Sequence, residues 1–150
     1  MRVFLKTLHL ISLSIFLGSI ISYIMICEIT YDDISLSFSR YFIMMGTQFL
    51  TIPAMWAVGI TGIIISGIPK NLWMKIKAIG FMLVMLNTHL FIFPAIRDAV
   101  ISLKDNNHVM FKSATSIEAI AGFVNIVLII TLIVVAVKKR QFLSRSREHQ

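Results

Sequence analysis

The stretch FLKTLHLISLSIFLGSIISYIMIC, residues 4–27, decides the fold. Its one charge, Lys6, stands near its start, and it contains no proline. A helix that crosses the hydrocarbon core of a bilayer needs about 20 mostly apolar residues, and this run exceeds that. Arg2 and Lys6 would also suit the basic flank of a cleaved secretion signal. The apolar part, however, outruns the about 7–15 residues of such a signal, and no A-x-A site follows it, so it reads as a retained span. Three more runs of the same kind follow, at residues 44–67, 72–96 and 115–137. They are too long and too evenly apolar for the alternating strands of about ten residues that build a membrane barrel. The sequence therefore predicts an all-α integral membrane four-helix bundle, one domain over residues 1–150, with short surface structure confined to 28–43 and 97–114.

The composition agrees. The chain has 150 residues, 57% hydrophobic and 14% charged, where a soluble domain carries about 25% charged residues. The apolar surplus is lipid-facing surface. Cys27 is the only cysteine, which excludes an internal disulfide and a cysteine-rich metal site. The net charge is +7, but the basic residues gather at the ends of the apolar runs and do not interleave with aromatics as on a nucleic-acid surface. Arg2 and Lys6, then Lys70, Lys75 and Lys77, then Lys138, Lys139, Arg140, Arg145 and Arg147 fall on one side; Arg40, Arg97, Lys104 and Lys112 fall on the other. The richer side is expected to be cytoplasmic, which gives an N-in/C-in, multi-pass protein of the cell's inner membrane. Pro69 predicts a loop, Pro94 a helix end and Pro53 a bend. No strong internal repeat, linker or second domain is evident.

In a bundle surrounded by lipid, small and polar residues mark helix contacts. At 100° per residue, His9, Ser12, Phe16, Ser19, Tyr23 and Cys27 share a stripe on the first span. Gln48, Thr51, Met55, Gly59, Gly62 and Ser66 share one on the second. Lys77, Gly80, Val84, Asn87, Thr88 and Ala95 do so on the third, and Glu118, Gly122, Asn125, Ile129, Leu132 and Ala136 on the fourth. Packing and hydrogen bonding account for Asn87, Asn125 and the hydroxyl residues. Ionisable residues inside spans cost more, about 2.5–3.5 kcal/mol even on the lenient insertion scale. His9 lies about 10 Å, and Lys77 about 12 Å, from the centres of their parallel spans toward the same face. The two thus occupy one layer, suited to an anionic ligand with an aromatic or metal-bearing body; snorkelling by Lys77 and a packing role for His9 are the structural alternatives. Tyr23, Gln48, Thr51, Arg97, Glu118 and Glu28 form an outer layer that reads as a salt-bridged rim. His89 points about 120° from Lys77, beside Met82, Met85 and Ile92, and about 18 Å along the axis from His9, so the two histidines cannot ligate one haem.

The segments FLKTLHLISLSIFLG, TIPAMWAVGITGIIISG, LWMKIKAIGFMLVML and NIVLIITLIVVAVKK resemble, in order, the helices of HemJ-type proteins, the oxygen-independent protoporphyrinogen oxidases, and of a related group of uncharacterised membrane proteins. The family's first-helix histidine falls on His9 and its lysine on Lys77. The resemblance implies haem b bound at His9, with His9 and Lys77 as cofactor-binding and catalytic residues, and electron transfer from a porphyrinogen, with quinone as a possible acceptor. SIISYIMICEITYDD lacks the Pro-Arg-bearing stretch of the HemJ type, and the family's second histidine falls on Thr88, departures that favour the sister group. The competing reading is a non-enzymatic membrane protein without cofactor, such as an accessory subunit or a small-solute or metal-handling carrier, for which Met44 and Met45 are a weak copper signal. A homo-oligomer is compatible with either. No Ser/His/Asp, P-loop, GxGxxG or HExxH constellation points to a hydrolase, nucleotide enzyme or metalloprotease.

Overall fold

In lipid, backbone polar groups must bond within their own segment, so uniformly apolar runs become helices. The computed structural model describes residues 2–30, 33–67 and 72–148, with backbone alone for 28, 33 and 137–148. Every regular element among them is helical: α1 (Arg2–Glu28), α2 (Asp33–Gly46), α3 (Ile52–Ser66), α4 (Leu72–Asn87), α5 (Phe93–Lys104) and α6 (His108–Glu148). A π turn at Thr47–Thr51 joins α2 to α3, and another at Thr88–Ile92 joins α4 to α5. The result is four helices long and apolar enough to cross a membrane: Arg2–Cys27 (26 residues), Ile34–Ser66 (33), Leu72–Lys104 (33) and His108–Ala136 (29). The end holding the start of α1 is called proximal below, and the opposite end distal.

The second and third helices are longer than the sequence suggested. Of the stretches 28–43 and 97–114 expected as short surface structure, 33–43 and 97–104 belong to the distal halves of these helices and 108–114 to the start of α6, and Pro94 does not end a helix. A proline lacks an N–H and its ring crowds the carbonyl one turn back. A π turn ahead of the proline re-aims those carbonyls and lets the helix continue. At Pro53, where a bend was expected, the same kind of π turn precedes the proline. The Pro69 loop and Lys70 lie outside the described residues, as do the side chains of Glu28 and of the basic tail.

The π turns also reset the inward stripe. Their i→i+5 bonds place more residues in a turn. The buried positions of the second helix therefore run Ile43, Thr47, Thr51 and Met55, while Gln48, expected to face inward, is exposed. A short internal repeat becomes visible here. TQFLTIPAM (47–55) and THLFIFPAI (88–96) each open on threonine, reach proline six residues later and continue with alanine. Thr47, Ala54 and Met55 are buried, and so are Thr88, Ala95 and Ile96. Because α3 has 15 residues and α4 has 16, the two antiparallel π turns lie at the same depth.

The helices pack as two pairs. α1 lies along α3, and α4 along α6; beyond the π turns α2 crosses onto α5, which packs on α6. α3 and α4 meet narrowly, with the Phe81 ring over Gly59, where a Cβ would come within 2.7 Å of it. Phe16, Ala54, Met55 and Val84 fill the middle. Polar ties run within each pair. Thr51 Oγ1 donates to Ser19 Oγ (2.9 Å), whose own proton goes to the Phe16 carbonyl (2.9 Å). Asn87 Nδ2 donates to Asn125 Oδ1 (2.8 Å) and to the Ala121 carbonyl (2.7 Å), and Asn125 Nδ2 donates to Thr88 Oγ1 (2.9 Å).

The distal rim is held differently. Arg40 of α2 donates to Glu118 of α6 at 2.6 Å, and both side chains are largely buried, at 11% and 19% exposure. The Arg40 guanidinium also lies 5.6 Å from the Phe111 ring centroid. Arg97 and Gln48, expected in this rim, are exposed instead. Removing one member of such a pair strands a desolvated charge. Glu118→Ala is expected to cost about 3 kcal/mol in thermal unfolding in detergent, and Arg40→Met/Glu118→Met to recover most of that loss.

Candidate functional site

His9 sits two turns into α1 and reaches across to α3. Its Nδ1 lies 2.9 Å from Thr61 Oγ1. A threonine hydroxyl has one proton, and Thr61 Oγ1 stands 2.5 Å from the Ala57 carbonyl and 3.3 Å from that of Val58. Those carbonyls can only accept. The hydroxyl proton therefore goes to Ala57, and Thr61 accepts from the Nδ1–H of His9. A neutral His9 in this arrangement has a bare lone pair on Nε2. Gly62 stands beside the ring, where a Cβ would lie 3.5 Å from His9 Cε1. Thr61, buried to 4% exposure, is the partner that sequence reasoning missed. The available signal was a hydroxyl inside an apolar run at the depth of His9; the stripe drawn through Gly62 and Ser66 passed one residue beside it.

Lys77 is half-buried on α4. Its neighbours fix its direction. Gly80 packs under Leu132 of α6, and Phe81 packs on Gly59 of α3. At 100° per residue Lys77 lies between these two, about 60° from one and about 40° from the other, so it faces the seam between the helix pairs. The Gly59–Phe81 contact also sets the antiparallel register, which puts Lys77 opposite Ile63. That is about one residue rise, ~1.5 Å, from the Gly62 level at which His9 lies. α1 and α4 meet through the core, where Phe16 and Val84 belong to one buried cluster. The register brings His9 and Lys77 to one level on two sides of a seam.

His89 belongs to another layer. Its Nδ1 donates to the Met85 carbonyl at 2.9 Å, and its ring meets Trp56 edge-on at 6.1 Å between centroids. It lies in the second π turn, and Met85 stands one turn earlier in α4. Thr88, at the position of the resembled family's second histidine, is buried, donates to the Val84 carbonyl at 2.8 Å and accepts from Asn125. Among the described residues no three His, Cys, Asp or Glu side chains cluster as a metal cage.

The role of Thr61 can be measured. In 15N-histidine-labelled protein, Thr61→Val should shift His9 from a single Nδ1–H tautomer to a mixture, while Thr61→Ser should preserve the wild-type pattern. His89, bonded to a backbone carbonyl, should serve as an unmoved reference in both variants.

No protein-family model, curated protein or solved structure matches this chain.

Proposed function

We propose that this is a multi-pass protein of the cell's inner membrane, both termini cytoplasmic, that binds haem b or a porphyrin at its proximal layer in a redox role. The observation that carries this reading is the His9–Thr61–Ala57 chain of hydrogen bonds. Metal-ligating histidines characteristically donate their second ring nitrogen to a fixed acceptor, which holds the ring and raises the basicity of the free nitrogen. Here Thr61 is that acceptor, and Nε2 is left as the ligand atom. Gly62 keeps one side of the ring free of a side chain. Lys77, at the same level and facing the seam, supplies a cation for a propionate. His9 is the one histidine of this layer that would hold the group, since Thr88 is committed to Asn125 and Val84 and His89 lies in a separate layer. When bound, the haem would supply one-electron chemistry. His9 would hold it and Lys77 would pair its charge. The orientation rests on the basic residues concentrated at the proximal end.

Visible spectra of detergent-purified protein, oxidised and dithionite-reduced, test the reading. A Soret band is expected in the wild type and lost in His9→Ala, and Lys77→Ala should weaken haem affinity about tenfold, the effect of ~1.4 kcal/mol. Porphyrinogen oxidation in membranes, with Lys77→Ala as control, tests the redox role. A colourless wild type from haem-replete cells would sink the proposal and leave His9 as a packing residue of a non-enzymatic bundle.

A further inference from the structure

We infer that two copies of this chain pair side by side through the outer face of α2, with Gln48 of each copy bonded to Gln48 of the other. The inference rests on the reading of these helices as membrane spans, and not on haem.

Gln48 carries it. The four long helices hold three side-chain amides, Gln48, Asn87 and Asn125. Asn87 and Asn125 bond each other at 2.8 Å and take further partners within the bundle. Gln48 is exposed and makes no hydrogen bond to another described residue. It stands near the middle of Ile34–Ser66, about 20 Å or more from either end at 1.5 Å per residue, beyond the reach of its side chain to water. An amide carries two donors and an acceptor. Lipid partners neither kind, and a bare amide in hydrocarbon is costly.

The symmetry of insertion decides who the partner is. Copies of one chain cross a bilayer in the same direction. A two-fold axis relating them therefore runs along the bilayer normal and keeps every residue at its own depth. On that axis Gln48 meets Gln48. The amide is complementary to itself, since the N–H of each copy reaches the carbonyl of the other. The bond is the counterpart between copies of Asn87–Asn125 within one.

The face around Gln48 fits a second copy. Ile34, Phe38, Tyr41, Met45 and Gln48 are spaced alternately four and three residues apart, the heptad seam of two parallel helices. Ile34, Phe38 and Tyr41 are exposed and Met45 is half-buried, while Ser39, Ile43 and Thr47 on the other side are buried in the chain's own bundle. Aromatic residues and methionine are enriched at the centres of protein interfaces. In lipid an apolar seam gives little preference for one neighbour over another. A single polar position within it sets the register, as a buried amide does in a coiled coil. The π turn at Thr47–Thr51 ends the regular spacing, so the seam runs from Ile34 to Gln48 and leaves α3 out.

Disulfide cross-linking in native membranes tests this. On a Cys27→Ser background, Tyr41→Cys should form a covalent dimer on mild oxidation, since a disulfide needs Cα atoms within about 7 Å of each other. Phe123→Cys, exposed on α6, should not. Adding Gln48→Leu to Tyr41→Cys should reduce cross-linking severalfold. In sedimentation equilibrium of detergent-purified protein, Gln48→Leu should raise the dimer dissociation constant about tenfold, the scale of one hydrogen bond between membrane helices. The Tyr41→Cys result keeps Gln48 intact and serves if Gln48→Leu does not fold. Inserted protein that stays monomeric overturns the inference, and so does a monomer that holds a lipid-soluble molecule at Gln48. A dimer that cross-links through Phe123→Cys in place of Tyr41→Cys, or one indifferent to Gln48→Leu, overturns it as well. Protein stripped from membranes by an alkaline wash would overturn the membrane reading and this inference with it, whereas inserted monomers overturn the pairing alone.

Discussion

A proline inside a helix removes a backbone donor, and in helices long and apolar enough to cross a membrane no water would replace it in lipid. At Pro53 and Pro94 the helix continues only because a π turn precedes each proline and redirects the carbonyls that lost their regular partners. Side chains add bonds to carbonyls ahead of each interruption: Thr88 donates to the Val84 carbonyl, His89 to that of Met85, and Thr51 stands 3.5 Å from that of Gly46 while bonding Ser19. The same threonine hydroxyls also join the helices, through Ser19 and Asn125.

Pairing needs such directional contacts because lipid is as apolar as a leucine side chain, so apolar burial alone does not favour one helix neighbour over another. The hydroxyl and amide bonds choose α3 for α1 and α6 for α4. Close approach follows where glycines permit it, with Gly59 under Phe81, Gly80 under Leu132 and Gly46 under Tyr23. The Arg40–Glu118 pair adds a third kind of selection at the distal boundary. A buried ion pair contributes little net stability against an apolar replacement but strongly disfavours any arrangement that leaves one charge alone. It therefore specifies which way the distal arm of the second helix turns.

Much of this was legible in the residues, for identifiable reasons. Span number followed from the length of apolar runs, and the inward position of Ser12, Phe16, Ser19, Thr51, Met55, Val84 and Asn125 followed from small or polar residues at helical spacing. That Pro53 interrupts the regular helix was readable, because proline removes a backbone donor, and the interruption takes the form of a π turn. The same rule misled at Pro94, since a chain can absorb a proline by widening the preceding turn, and nothing in the local composition announces which outcome occurs. Gln48 was misplaced for the same reason: a constant 100° per residue does not hold through a π turn. Arg40 could not be matched to Glu118 while residues 28–43 were read as surface structure, because a partner 78 residues away becomes apparent only when both lie on helices. At the proximal layer, His9 and Lys77 were found by depth, whereas Thr61 required knowing which helix faces α1.

The unequal helix lengths have a consequence for how the protein sits in its surroundings. The second and third helices run 33 residues, about 50 Å, against 26 residues, about 39 Å, for the first, and the hydrocarbon slab is about 30 Å thick. Placed in such a slab, the two longer rods would lean or project, and a continuous helix would lean along its whole length. In a bilayer, an interrupted rod would divide such a mismatch between its two parts at the π turn. Slab thickness would then be coupled to the angle between those parts.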